Sequence, residues 1–341
     1  MPHSSTFKAS LTSSVRRYLH PTASIRDLQP LTAGSSADTW KFDVITEQGE
    51  QPLILRRLAL DENISTAVSK KTEALVQQAA VANGVIAPRV RFILEEIDQL
   101  GHGYVMDRIE GESIPQKILK QDTFSVAREH MTAQCGTLLA RIHTTPLDTL
   151  PPLPNLTATA QVEELFNLYR SYEQYQPVFD VAFCWLREHI PRSVTPALVH
   201  GDFRHGNFMV DRQGICGILD WELTHIGDPM EDIGWLCVNS WRFGNPHNPI
   251  GGFGKRDEFY QTYRKQNDVE IDEAAIHFWE IFGTLKWGVI CLFQCFSHLT
   301  GKIRSMERAA IGRRVSETEI DLLQLVNATG KTTSKDMSHA I

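Results

Sequence analysis

The 341-residue chain has no excess of positive charge: 34 Lys and Arg stand against 41 Asp and Glu, a formal net charge of −7. Nucleic-acid surfaces need clustered cations to neutralise phosphates, so this balance argues against a nucleic-acid partner. The charge suits solubility and says nothing about a buried pocket. Long apolar runs are also missing. The longest, Phe282 to Phe296, is broken by Lys286 and falls short of the ~20 residues that cross a bilayer, so no membrane partner is expected. The six cysteines, Cys135, Cys184, Cys216, Cys237, Cys291 and Cys295, include no CxxC pair and form no disulfide framework. Only Cys291 and Cys295 share a helical face, and most sit in apolar surroundings, the pattern of buried thiols in a reducing compartment. The opening MPHSSTFKASLTSSVRR lacks the apolar centre of a secretory signal and is expected to form a short helix. A cytoplasmic location follows as an expectation.

What is present divides the chain by character. Asp38 to Thr46 and Pro52 to Ala59 alternate as strands around a polar turn at Glu47 to Glu50. The small-residue loop Leu31 to Ala37 precedes them. Thr66 to Asn83 has helical spacing and stops at Gly84. Val90 to Glu95 and Gly103 to Ile109 are further strands. Beyond Glu110 helices dominate: Phe124 to His143, Ala160 to Tyr175, Val178 to His189, and most of the chain after Gly227. Short strands and loops run from Ala197 to Trp221, and a Gly/Asn/Pro loop from Gly244 to Gly254. Strands segregate from helices, which predicts an α+β fold: a small five-stranded antiparallel lobe with one helix, joined to a larger, mainly helical lobe. The expected boundaries are an N-terminal helical arm at 1–20, an N-lobe at 21–106, a C-lobe at 107–327 and a flexible tail at 328–341.

The chemistry concentrates in HGDFRHGN, His200 to Asn207, and in GILDWE, Gly217 to Glu222. Phosphoryl transfer needs a carboxylate at the attacking hydroxyl and oxygen ligands that hold magnesium against the nucleotide phosphates. Asp202 and Asn207 stand in the D-x4-N relation of a kinase catalytic loop. Asp220 ends an apolar strand, where a metal-binding carboxylate would be held rigidly. An amide beside it adds an oxygen ligand without adding charge repulsion.

HGDFRHGN followed by ILDWELTHIGDPMEDIGW resembles the aminoglycoside phosphotransferase and choline kinase superfamily. The branch it most resembles includes the kinase-like domains fused to some acyl-CoA dehydrogenases. The similarity runs from the Gly34 loop to the helices around Trp287. It implies a bilobal, protein-kinase-like fold and an ATP- and Mg2+-dependent phosphotransferase acting on a hydroxyl of a small molecule. Asp202 is then the catalytic base, with Asn207 and Asp220 as metal ligands. Gly34, Ser35 and Ser36 match the loop that covers the phosphates. The family's phosphate-binding Lys on the third strand is replaced by Arg56-Arg57, of which Arg56 aligns, and the two cations are not interchangeable. Glu73 matches the carboxylate that positions this cation. Tyr104 to Ile109 resembles the hinge, where the Asp107 carbonyl and Ile109 N–H would meet adenine. His200, Asp228 and Asp232 are expected to support the loop, and Glu222 to support the metal site.

Substrate selection is expected from the helical lobe, where Trp235, Trp241, Arg242 and Phe243 follow the metal motif and Trp279, Lys286 and Trp287 come later. Arg242, between two aromatics, is expected to clamp an anionic group of the substrate, with Trp241 beside it. The acceptor stays open across aminoglycosides, amino alcohols, macrolides and hydroxy acids or their CoA esters, as does the oligomeric state. Among rival functions, a two-metal phosphoesterase lacks the required ligands upstream. A protein kinase lacks an APE-like element after Asp220, and Gly254-Lys255 lacks the first Gly of a Walker loop. The alternative that survives is a nucleotide-binding pseudokinase without turnover.

Overall fold

Period-two alternation, with Phe42, Val44, Leu53 and Leu55 directed to one side, pleats the first third of the chain into a half-buried sheet. The computed structural model describes residues 3–31, 38–58, 68–192, 195–266 and 270–336. In chain order the elements begin with α1 (His3–Tyr18), β1 (Ser24–Leu31), β2 (Asp38–Thr46), β3 (Gly49–Leu58), α2 (Lys70–Ala82), β4 (Val90–Ile93) and β5 (His102–Asp107). Helices α3 (Pro115–Lys120), α4 (Ser125–His143), α5 (Ala158–Ser171) and α6 (Pro177–Glu188) follow. Four short strands come next, β6 (Ala197–Val199), β7 (Phe208–Val210), β8 (Ile215–Ile218) and β9 (His225–Gly227). The chain then continues as α7 (Met230–Cys237), α8 (Arg256–Gln266), α9 (Glu273–Leu299), α10 (Met306–Gly312) and α11 (Val315–Asp336).

These elements form two compact units, neither continuous in sequence. Unit one comprises residues 1–130, 140–154 and 207–224; unit two comprises 131–139, 155–206 and 225–341. The division does not follow the single boundary expected between 106 and 107, because β7 and β8 return to unit one. Helix α11 continues to Asp336, past the start of the expected flexible tail at 328.

Unit one is built on an antiparallel sheet ordered β1-β2-β3-β5-β4. Leu53, Leu55, Phe42 and Val105 share a core with Leu11 and Val15 of α1. The N-terminal helix is therefore part of this unit's core and not a separate arm. It is fastened by Asp98, which accepts hydrogen bonds from Ser14 Oγ at 2.7 Å, Arg17 Nη1 at 2.8 Å and Tyr18 Oη at 3.1 Å. The opposite face carries Val90 and Tyr104 against Ala74 of α2. Helix α2 starts at the Ser69 cap, whose side chain accepts from the Thr72 N–H. It stops at Gly84, whose φ of +84° lies in the left-handed region that favours glycine.

Unit two is organised around α9, which packs on α7, α10, α11, α6 and α5. Trp279, Phe282 and Leu285 of α9 are buried, and β6 pairs antiparallel with β9. Among the described residues α9 is the one helix long and apolar enough to cross a membrane, but its most apolar window is 72% buried within the fold. It is the core helix of this unit.

Candidate active site

The alternation of β3 settles which of two adjacent arginines faces which helix. Leu53 and Leu55 point to the α1 side, so Arg57 follows them: its guanidinium lies 4.5 Å above the Phe7 ring and pairs with Asp38 at 2.8 Å. Arg56 points to the α2 side, where its Nε lies 3.1 Å from Glu73 Oε1. Its Nη2 meets Asp220 Oδ1 and lies 2.9 Å from Glu222 Oε2. Glu73 is fully buried, and an unpaired carboxylate there would cost several kcal/mol. Three partners hold it: Arg56, the Tyr104 hydroxyl donating at 2.9 Å, and Lys70 Nζ at 2.6 Å. Burial works against the Arg56 charge, but Glu73, Asp220 and Glu222 more than restore it and keep the guanidinium protonated.

Lys70 escaped the sequence reading. It is buried in the first turn of α2, and its ammonium bridges Glu73 and Glu222, the latter at 3.2 Å. The signal available in sequence was the K-x-x-E spacing of Lys70 and Glu73, which places both on one helical face.

Asn207 and Asp220 are placed by the β7–β8 hairpin. The Leu219 N–H donates to the Asn207 carbonyl at 2.9 Å, which brings Asn207 beside the residue preceding Asp220. Asp220 has φ +69°, a strained conformation for a residue with a Cβ, and such strain gathers at functional positions. Buried Trp221 anchors the following turn by donating from Nε1 to the Ile218 carbonyl at 3.3 Å. The Glu222 carbonyl accepts from the Val68 N–H at 2.9 Å, tying the motif to the start of α2. Among the described residues no group of three or more His, Cys, Asp or Glu forms a ready-made metal cage. Magnesium does not need one, since it is held by one or two side-chain oxygens, phosphates and water. The Asp220 carboxylate and Asn207 amide oxygen, held at adjoining backbone positions, are hard donors that fit it.

In unit two the loop after β6 is braced from α7. Asp232 accepts the His200 and Gly201 N–H groups at 2.8 and 2.9 Å, which stabilises the left-handed turn at Gly201, φ +79°. His200 is buried, and its Nδ1 accepts the Asp202 N–H at 3.2 Å, a supporting role. Asp202 Oδ1 accepts from Arg204 Nε at 2.9 Å and Trp235 Nε1 at 2.8 Å, so the carboxylate has a fixed orientation. His205 is buried and donates from Nδ1 to the Gly251 carbonyl at 2.8 Å; burial pushes its imidazole down to about 4, which keeps it neutral. Asp228 accepts the N–H of Met230, the first residue of α7, at 2.9 Å and also accepts from Trp279 Nε1 at 2.7 Å.

Other expected site residues have different fates. Gly34, Ser35 and Ser36 lie outside the described residues. The Asp107 N–H donates to the Arg89 carbonyl and the Arg108 N–H to the Pro52 carbonyl, so the hinge segment is held on both sides. The Asp107 carboxylate pairs with Arg91 at 2.6 Å, and the Ile109 side chain covers Gly217. Trp241 is buried between Trp235 and Trp287, at ring distances of 5.1 and 4.9 Å. Arg242 does not present the open clamp expected of it. Its Nε and Nη2 donate to the Cys237 carbonyl, Nη1 to the Pro246 carbonyl, and Nη2 also to buried Glu280 at 2.7 Å. With every nitrogen engaged, Arg242 braces the loop after α7.

A model of the phosphotransferase enzyme family matches residues 27–266. Mouse acyl-CoA dehydrogenase family member 10 is 27% identical over 201 residues, 55% of this chain and 18% of that protein. Mouse family member 11 is 25% identical over 206 residues, 56% of this chain and 26% of that protein. The chain thus spans a minor part of the length of these relatives. Among solved structures, a Ralstonia eutropha JMP134 protein described as an aminoglycoside phosphotransferase aligns with TM-score 0.70 and 19% identity, covering 94% of this chain and 98% of its own. Choline kinase from Cryptosporidium parvum aligns with TM-score 0.63 and 12% identity, covering 95% and 96%. A spectinomycin phosphotransferase solved with ADP and spectinomycin aligns with TM-score 0.60 and 13% identity, covering 94% and 98%. At these identities the likeness establishes the fold, α+β and kinase-like.

Proposed function

The chain belongs to the phosphotransferase enzyme family, and from that premise we propose that it transfers the γ-phosphoryl group of ATP to a hydroxyl of a small molecule. Asp202 acts as the base. The acceptor oxygen bonds to the γ-phosphorus as the bond to the β–γ bridging oxygen breaks, ADP leaves, and the hydroxyl proton passes to the Asp202 carboxylate. Phosphoryl transfer of this kind has a loose transition state, so orienting the hydroxyl matters as much as deprotonating it. The paired donors Arg204 and Trp235 on Asp202 suit that task. Asn207 and Asp220 would hold magnesium, which when bound would neutralise phosphate charge. Arg56, steadied by Glu73, contacts the phosphates; the Asp107 carbonyl and Ile109 N–H are assigned to adenine.

The observation that carries this reading is the meeting of Arg56 with Glu73, Asp220 and Glu222 in unit one. Residues 164 positions apart, which family likeness assigns to phosphate and to metal, are brought into direct contact. Replacing Asp220 by Ala should remove magnesium-dependent binding of a fluorescent ATP analogue while leaving far-UV circular dichroism unchanged. Unaltered magnesium-dependent binding in that variant would contradict the metal assignment.

The same contact favours one second reading, a nucleotide-binding module without turnover. Arg56 replaces the family's lysine and already engages Asp220. Nucleotide binding without ADP release on any acceptor would favour it.

A further inference from the structure

Around Arg56 the charges of unit one close into a ring. Arg56 Nε lies 3.1 Å from Glu73 Oε1, and Glu73 Oε2 lies 2.6 Å from Lys70 Nζ. Lys70 Nζ lies 3.2 Å from Glu222 Oε2, and that oxygen is 2.9 Å from Arg56 Nη2, which completes the circuit. Asp220 joins it at the same Nη2. The ring ties β3, through Arg56, to α2, through Lys70 and Glu73, and to the turn after β8, through Glu222. Its two ends differ in access. The side chains of Lys70 and Glu73 are closed off, 1% and 0% exposed, whereas those of Arg56, Asp220 and Glu222 are 15%, 29% and 16% exposed. A ligand therefore reaches Arg56 and not Lys70.

Three carboxylates face two cations in this cluster. Without Lys70 the Arg56 guanidinium alone would answer all three, and a guanidinium so held is withdrawn from a fourth anion. Glu73 cannot simply be released, since a wholly buried carboxylate without a counter-charge is costly. Lys70 meets the two carboxylates that flank Arg56 in the ring, taking the second oxygen of Glu73 and the same oxygen of Glu222. It keeps both compensated when Arg56 turns toward a ligand. It also lowers the negative charge that a triphosphate would meet there, an effect that acts over several ångströms in a partly buried site.

We infer that Lys70 is a positioning residue for the nucleotide phosphates, acting through Arg56: its ammonium compensates Glu73 and Glu222 so that the Arg56 fork is available to the triphosphate. This rests on the phosphotransfer reading, in which Arg56 meets the phosphates, and adds to it a second cation that touches no substrate. It also gives the arginine on β3 its condition. A lysine there presents one ammonium, whereas a planar fork reaches several carboxylates and needs another cation to release it.

The test separates phosphate recognition from stability. Affinities for adenosine, ADP and ATP, with magnesium, are measured by calorimetry on the full chain and on Lys70→Met, Glu222→Gln and the double variant. Wild type should prefer ATP to adenosine. Lys70→Met, of similar length and without charge, should weaken ATP about 10- to 100-fold and ADP less, with adenosine unmoved. Adding Glu222→Gln removes one carboxylate for the cation lost and should restore most of the ATP affinity. Where Lys70→Met alone does not fold, Glu222→Gln and the double variant carry the comparison, since they differ only in the ammonium. ATP should again bind about 10-fold more weakly without it, and adenosine equally in both. Equal losses for adenosine and ATP, the response of a bridge that only holds α2 to the turn, would overturn the inference. So would a further fall in ATP affinity in the double variant relative to Lys70→Met. An ATP preference unmoved by Lys70→Met overturns this inference alone, whereas no ATP preference in wild type overturns the phosphotransfer reading with it.

Discussion

At the scale of single residues, the site turns on cations in unusual positions. Arg56 keeps the charge of the lysine expected by family likeness but offers a planar fork, and that fork reaches three carboxylates together. Lys70 is the less expected feature. A buried ammonium in the first turn of a helix faces the unfavourable end of the dipole, so its presence requires the two carboxylates it bridges. Replacing Lys70 by Met should leave Glu73 and Glu222 undercompensated and lower the unfolding free energy in urea by about 3 kcal/mol. Adding Glu222→Gln to that variant should recover part of the loss, and full additivity of the two changes would contradict the shared bridge. Asp202, Asn207 and Asp220 stand out in the sequence because the two motifs that contain them are short and local. The second partner of Lys70 and the true partners of Arg242 stayed hidden, since these include carboxylates distant in the chain, Glu222 and Glu280.

At the scale of elements, the strands and helices were readable to within a few residues wherever alternation or helical spacing was strong. Asp38 to Thr46 matches β2 at both ends, and the helix expected over Phe124 to His143 is α4. Strand β1 was not delimited because Ser24 to Leu31 buries only Ile25 fully and so shows no clear period. The weight of α1 was also underread. Its role depends on Asp98 in the β4–β5 connection, about 80 residues on. Asp98 is buried and collects Ser14, Arg17, Tyr18 and the Glu95 N–H. Asp98→Ala should therefore destabilise unit one by about 2–4 kcal/mol and abolish amide-exchange protection in α1 before that of β2 and β3. Protection lost together in all three elements would show that α1 is not fastened through this carboxylate alone.

At the scale of the whole molecule, the α+β class was legible because strands precede helices, and the kinase-like identity because two motifs stand at the right separation. The boundaries of the two units were not. Residues 207–224 belong with the first sheet, although they follow the helices in sequence. No change of composition marks that return, because the segment needs only apolar strands such as Phe208 to Val210 and Ile215 to Ile218, which suit either unit. The cations lying on Trp235, Trp241 and Trp287 were likewise unreadable, since they come from separate stretches of chain.

The central claim is that Asp202 is the base of a magnesium-dependent transfer from ATP to a hydroxyl. Its most direct test is ADP release from the full chain and its Asp202→Ala variant, with nucleotide affinity measured in parallel. The account predicts turnover reduced by about 10²- to 10⁴-fold with affinity for magnesium–ATP little changed. Turnover that survives the substitution, or loss of nucleotide binding along with turnover, would contradict it.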